Sequence, residues 1–142
     1  MPRFLVAKSV ARTIRKERIG EATLIGVAEA AFAGIFRADH GDETFKVAVQ
    51  RPGRGKSHGY RAILGLRTDH RAVFAYLWSK NEFENISEDY LGGLKLFIKA
   101  VMDMSDEMLE RALDAGELIE LAQQPEEGPN REEEDGESED ET

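Results

Sequence analysis

Two runs decide the fold: FKVAVQ at Phe45–Gln50 and, after a turn-rich loop, YRAILGLRTDHRAVFAYLWS at Tyr60–Ser79. In the first, Phe45, Val47 and Val49 alternate with Lys46, Ala48 and Gln50, which is the period of a half-buried strand. In the second, Tyr60, Ala62, Leu64 and Leu66 line one side, with Arg61, Ile63 and Arg67 on the other. Thr68-Asp69-His70-Arg71 reads as a turn. Ala72 to Trp78 is apolar on both sides, as expected of a central strand covered on both faces. Three antiparallel strands follow.

Outward from this meander the period changes. Phe4 to Val6 suits a short first strand. Ser9 to Ile19 and Glu21 to Arg37 repeat apolar residues at helical spacing and are joined at Gly20, which predicts a helical hairpin. Asp39-His40-Gly41-Asp42 reads as a loop. Downstream, Ser87 ahead of Glu88 and Asp89 is a helix N-cap, and Leu91, Leu94, Ile98 and Val101 form a core stripe. Ser105 caps a further helix that Gly116 ends, and Glu117 to Leu121 suits a last short strand. The expectation is an α+β domain over 1–124, with a helical hairpin packed on a small antiparallel sheet and C-terminal helices.

The net charge of -9 divides unevenly. Residues 125–142 hold 10 acids and one base, Arg131, so the 142-residue chain is otherwise neutral. With no apolar residue to bury, this acidic tail is expected to be disordered. Lys46 to Lys80 carries eight Lys and Arg against Asp69, a cationic surface suited to a polyanion such as RNA. The absence of cysteine removes disulfides and thiol chemistry. No run reaches the roughly 18 apolar residues of a membrane span, and no secretory signal is evident, so a cytoplasmic protein is expected. Neither a Ser/His/Asp set nor a phosphate loop ahead of a helix is legible. What remains is cationic chemistry: Arg61 on a strand behind a glycine loop, Lys46 on the preceding strand, and His58 in the loop. His70 at a hairpin tip and His40 in a loop are weaker candidates.

Three stretches carry a resemblance: GKSHGYR at Gly55–Arg61, DHRAVFAYLWSKNEFENIS at Asp69–Ser87, and MSDEMLERALDAGELIEL at Met104–Leu121. They resemble the RelE/HigB toxins of toxin–antitoxin systems, in the phage-derived Gp49-like branch. The resemblance implies a RelE-like fold and a ribosome-dependent endoribonuclease that cuts mRNA without metal or cofactor. The 2′-hydroxyl attacks its own 3′ phosphate while cations stabilise the phosphorane. It also implies a helix-turn-helix antitoxin as partner. Arg61 aligns with the family's strand arginine, Lys46 with a basic position, and Lys80 with the first of a basic pair. Catalytic roles are expected for Arg61, Lys46, Lys80 and His58, and RNA contacts for Arg54, Lys56, Arg67 and Arg71. The chain departs from the pattern at Asn81, where the second base would stand, and at Ser87, near the place of a tyrosine. Tyr90 lies close by on a helix. Other readings left open are a ParE-like, non-enzymatic gyrase inhibitor and an RNA-binding regulatory module.

Overall fold

The computed structural model describes residues 1–50, 59–82 and 85–122. The chain runs β1 (Arg3–Ala7), α1 (Lys8–Glu17), α2 (Glu21–Phe32), β2 (Ala38–Asp39), β3 (Thr44–Val49), β4 (Tyr60–Arg67), β5 (Arg71–Ser79), α3 (Glu88–Asp103), α4 (Asp106–Asp114) and β6 (Leu118–Glu120). The strands form one sheet in the order β2-β3-β4-β5-β1-β6. Only β1 against β5 is parallel among the described pairings, because the helical hairpin carries the chain over the sheet between them. The fold is α+β and RelE-like, with a larger sheet than the meander alone.

Helices cover both faces, which explains the unbroken apolar run of β5. On one face α1 and α2 press Val10, Ile14, Leu24 and Ala28 onto Val47, Ala62, Leu64 and Phe74. On the other, α3 and α4 bring Ile98, Val101, Met102 and Leu109 onto Leu5, Ile63, Val73 and Trp78. The closest approach is at Gly65, where a Cβ would lie 2.5 Å from Ile98 Cγ2. A strand glycine is otherwise unfavourable, and here it lets α3 cross the sheet.

Local signals set the helix ends. Ser87 accepts from Tyr90 N at 3.2 Å and Ser105 from Met108 N at 3.1 Å, as the N-cap reading requires. The second helix stops at Phe32, short of the expected Arg37. Gly34 takes φ 97° and Ile35 N donates to Ala30 O, a Schellman closure that only the glycine makes inexpensive. Helical spacing carries on through Ile35 and Phe36, yet both are solvent-exposed. The segment expected as a loop at Asp39–Asp42 begins as β2, with Ala38 and Asp39 pairing to Lys46 and Phe45.

One end of the molecule is held by cations. Helix α3 has no basic residue in its last turn, so its C-terminal carbonyls need donors from elsewhere. The β4–β5 hairpin supplies them. Arg71, 1% exposed, donates to Val101 O at 2.6 Å and Met104 O at 2.9 Å, and pairs with Asp106 at 3.2 Å. Arg67 donates to Met102 O and forms a two-pronged pair with Glu43 at 2.8 and 2.9 Å, while also reaching Asp103. His70 Nε2 lies 3.1 Å from Met102 O, so that nitrogen carries the proton. Replacing Arg71 by Met fills similar volume but leaves two buried carbonyls without their donor. A loss of about 2–3 kcal/mol is expected. Urea unfolding measures it, and an unchanged midpoint would contradict this role.

Candidate functional site

The face of β3, β4 and β5 turned toward α3 gathers the remaining cations with aromatic rings. Register aligns Lys46 with Ile63 and Tyr76, and Ala48 with Arg61 and Trp78. Lys46 and Arg61 are thus diagonal neighbours on one face, within reach of long side chains. A bulge makes the aromatic part possible. Ile63 pairs with Tyr76 but Leu64 with Phe74, so Ala75 is the extra residue. Strict alternation would send Tyr76 to the α1–α2 side, with Tyr60 and away from Arg61; the bulge sends it to the Arg61 side instead. Tyr60 stays on the α1–α2 side, where its hydroxyl donates to Glu17.

The rings form a continuous wall. Tyr76 stacks on Trp78 at a centroid distance of 5.6 Å and an interplanar angle of 26°. Tyr90, in the first turn of α3, meets Tyr76 edge-on at 5.1 Å. Tyr76, Asn85, Ile86, Ser87 and Tyr90 line an open cleft of about 400 Å³. Burial pushes the Tyr76 phenol above its ordinary value, and Tyr90 and Glu82 add to this. The phenol therefore remains a hydrogen-bond donor at neutral pH. Lys46 Nζ donates to Asn85 Oδ1 at 2.8 Å, which fixes that amide at the rim.

Arg61 is the unusual member. The residue is 8% exposed, and among the described residues its Nη1 has only a long contact, 3.4 Å, to Tyr60 O. No carboxylate pairs with it among the described residues. A buried charge ordinarily has an acid partner, because desolvating it alone is costly. An anion from outside the chain would supply that partner. Lys80, half-buried in the turn after β5, lies at the same end of the sheet and donates its backbone N–H to Gly59 O. Arg54, Lys56 and His58 lie outside the described residues.

Arg67 and Arg71 are not brought to this cleft. Both sit at the opposite end of the β4–β5 hairpin with their donors engaged by α3 and acids. His40 lies on the side of Lys46 away from Arg61, opposite Thr44. Its N–H donates to Thr44 O and β2 pairs with β3, which sets His40 on the strand edge beside Lys46. Burial first, then Lys46 and Lys95, hold its imidazole below the ordinary value, so it is uncharged near neutrality. The sequence shows neither the β2 pairing nor the bulge, and these two features place His40 near Lys46 and Tyr76 on the Arg61 face.

The described chain is thus a small α+β domain with an aromatic-lined cleft, and among the described residues its buried Arg61 has no acid partner. A family model described as the RelE toxin of the RelE/RelB toxin–antitoxin system matches residues 2–121. The chain belongs to the RelE toxin family, whose members are paired with antitoxins. Among curated proteins, none matches the chain. No helix among the described residues is long and apolar enough to cross a membrane.

The isolated charge of Arg61 gives a stability test. Arg61→Met removes the desolvation cost and should leave the unfolding free energy equal or higher, by up to about 1–2 kcal/mol, with the melting temperature moving the same way. Inorganic phosphate should raise the melting temperature of the unsubstituted chain beyond a chloride control, and Arg61→Met should abolish that gain. Strong destabilisation by Arg61→Met would show that the guanidinium is structural.

Proposed function

We propose that this RelE-family toxin is a ribosome-dependent endoribonuclease of the HigB/Gp49-like branch that cleaves mRNA in the cytoplasm, restrained by a helix-turn-helix antitoxin. The observation that carries the reading is Arg61, a buried guanidinium lacking an acid partner among the described residues, on the same sheet face as Lys46, Tyr76 and Trp78 and next to the cleft that Tyr76 and Tyr90 line. A guanidinium can bind two oxygens of one phosphate at once, and a dry site strengthens that attraction. Tyr76 and Tyr90 offer ring surface to an unstacked base, the usual form in which RNA is read.

In this reading the 2′-oxygen attacks the adjacent phosphorus and its proton passes to the neutral imidazole of His40. The bond to the 5′-oxygen breaks, that oxygen takes a proton from water and leaves as a hydroxyl, and the imidazolium of His40 returns its proton to the solvent. The products are a 2′,3′-cyclic phosphate and a 5′-hydroxyl end. Arg61 and Lys46 hold the phosphate as negative charge gathers on its oxygens. Lys80 completes the cationic set, and Arg54, Lys56 and His58 belong to the proposed RNA surface. Arg67 and Arg71 serve the fold instead.

Mapping of mRNA ends in a translating extract tests the reaction. Arg61→Ala and Lys46→Ala should each lower cleavage by roughly 10²-fold or more, the scale of losing one preorganised charge contact, while circular dichroism stays native. Full cleavage by folded variants would remove both from the site. DNA breaks at gyrase with intact mRNA would favour the ParE-like alternative, and RNA binding with no cleavage the regulatory one.

The acid limb of the pH profile tests His40. Because its imidazole titrates below the ordinary 6.5, the base is charged and inactive at low pH. Cleavage should rise as pH climbs through a value under 6.5 and be level by neutrality. His40→Gln should lower the plateau and erase that limb; an unchanged profile would assign the base elsewhere.

A further inference from the structure

Helix α1 carries a second cationic surface that the proposed reaction does not use. Its buried stripe is Val10, Ala11 and Ile14. Lys8, Arg12, Arg15 and Lys16 recur at spacings of three and four on the opposite side, and all four are exposed. Spacing of this kind stacks side chains into one ridge. Among the described residues none of the four forms an ion pair or a side-chain hydrogen bond. The one acid of the helix, Glu17, accepts from the Tyr60 hydroxyl. Like charges in adjacent turns repel, so the ridge is unfavourable unless an anion covers it.

The chain brings its own anion to this place. Leu121 N donates to Phe4 O at 2.8 Å, and Ala122 N to Glu21 Oε1 at 2.8 Å. Glu21 opens α2 just after α1 ends, so the last described residue stands at the corner between the two helices. The first acids, Glu126 and Glu127, follow four and five residues later, a span of at most roughly 14–18 Å. The ridge from Lys16 to Lys8 extends about 12 Å along the helix. Residues 125–142 hold 10 acids and one base.

We propose that the acidic segment 125–142 docks on the α1 ridge of the same chain, occupying it as an internal polyanion. Each exposed pair is weak. Several together, tethered at an effective concentration in the millimolar range, make contact favourable at moderate ionic strength. The contact is electrostatic and readily exchanged, so a denser external polyanion displaces the segment from the ridge. The inference is independent of the nuclease reading, since it concerns the sheet face opposite Arg61.

Carbodiimide coupling of the full chain tests it, because this reagent joins a lysine amine to a carboxylate only when they touch. Peptide mapping should find Lys8 and Lys16 joined to residues Glu126–Glu141 at yields about fivefold or more above Lys80 and Lys99, falling at roughly 0.5 M salt as screening shortens. The yield should not depend on protein concentration. The doubly substituted full chain Arg12→Glu, Arg15→Glu retains both reporter lysines and changes only exposed positions. It should stay folded by circular dichroism and lose most of the coupling. Even distribution over all exposed lysines, coupling confined to cross-linked dimers, or undiminished coupling in the folded double variant would each overturn the proposal.

Discussion

The C-terminal turn of α3 ends without a basic residue of its own, and the structure is organised around how its carbonyls are met. Arg71 enters from β5, nearly fully buried, and donates to Val101 O and Met104 O. Arg67 and His70 reach Met102 O from the same hairpin. A helix pinned at one end and allowed close to the sheet by Gly65 has little freedom at the other. That other end begins at Ser87 and carries Tyr90 to the rim of the cleft. The cleft is thus positioned by contacts at the far end of the same strands.

This division of labour separates arginines that look alike in sequence. Arg67 and Arg71 have carbonyl and carboxylate partners, so their charge is satisfied by the fold. Arg61 is also buried, but among the described residues its hydrogen bond is a long contact with a backbone oxygen. Holding a cation in that state costs stability, and proteins retain such arrangements where the missing partner is a ligand. The Ala75 bulge follows the same logic. It interrupts the ladder and, in return, places Tyr76 and Trp78 on the face that holds Arg61 and Lys46.

Much of the fold was legible because its signals are local. The alternation at Phe45–Val49 and Tyr60–Leu66, the caps at Ser87 and Ser105, and the stop at Gly116 each depend on neighbouring residues. The overrun of α2 past Gly34 came from Ile35 and Phe36, which keep helical spacing while standing in solvent. The site was less legible. Lys46 and Arg61 follow from strand parity, whereas Tyr76 requires a bulge that leaves no mark in the sequence. The bonds of Arg67 to Met102 and of Arg71 to Val101 join residues 30 or more positions apart, so a run of bases between Lys46 and Lys80 reads as one cationic surface. In three dimensions it divides into the Lys46–Arg61 end and a hairpin end whose arginines are tied to α3.

The central claim is that RNA meets the Lys46–Arg61 end of the sheet and not the Arg67–Arg71 end. Titration of the isotopically labelled chain with a short 2′-O-methylated RNA, which cannot be cleaved by 2′-oxygen attack, examines both ends in one spectrum. The account predicts saturable shifts centred on Lys46, Arg61, Tyr76, Asn85 and Tyr90, with Arg67, His70 and Arg71 unmoved. Shifts centred on the Arg67–Arg71 hairpin, with the cleft unchanged, would contradict it.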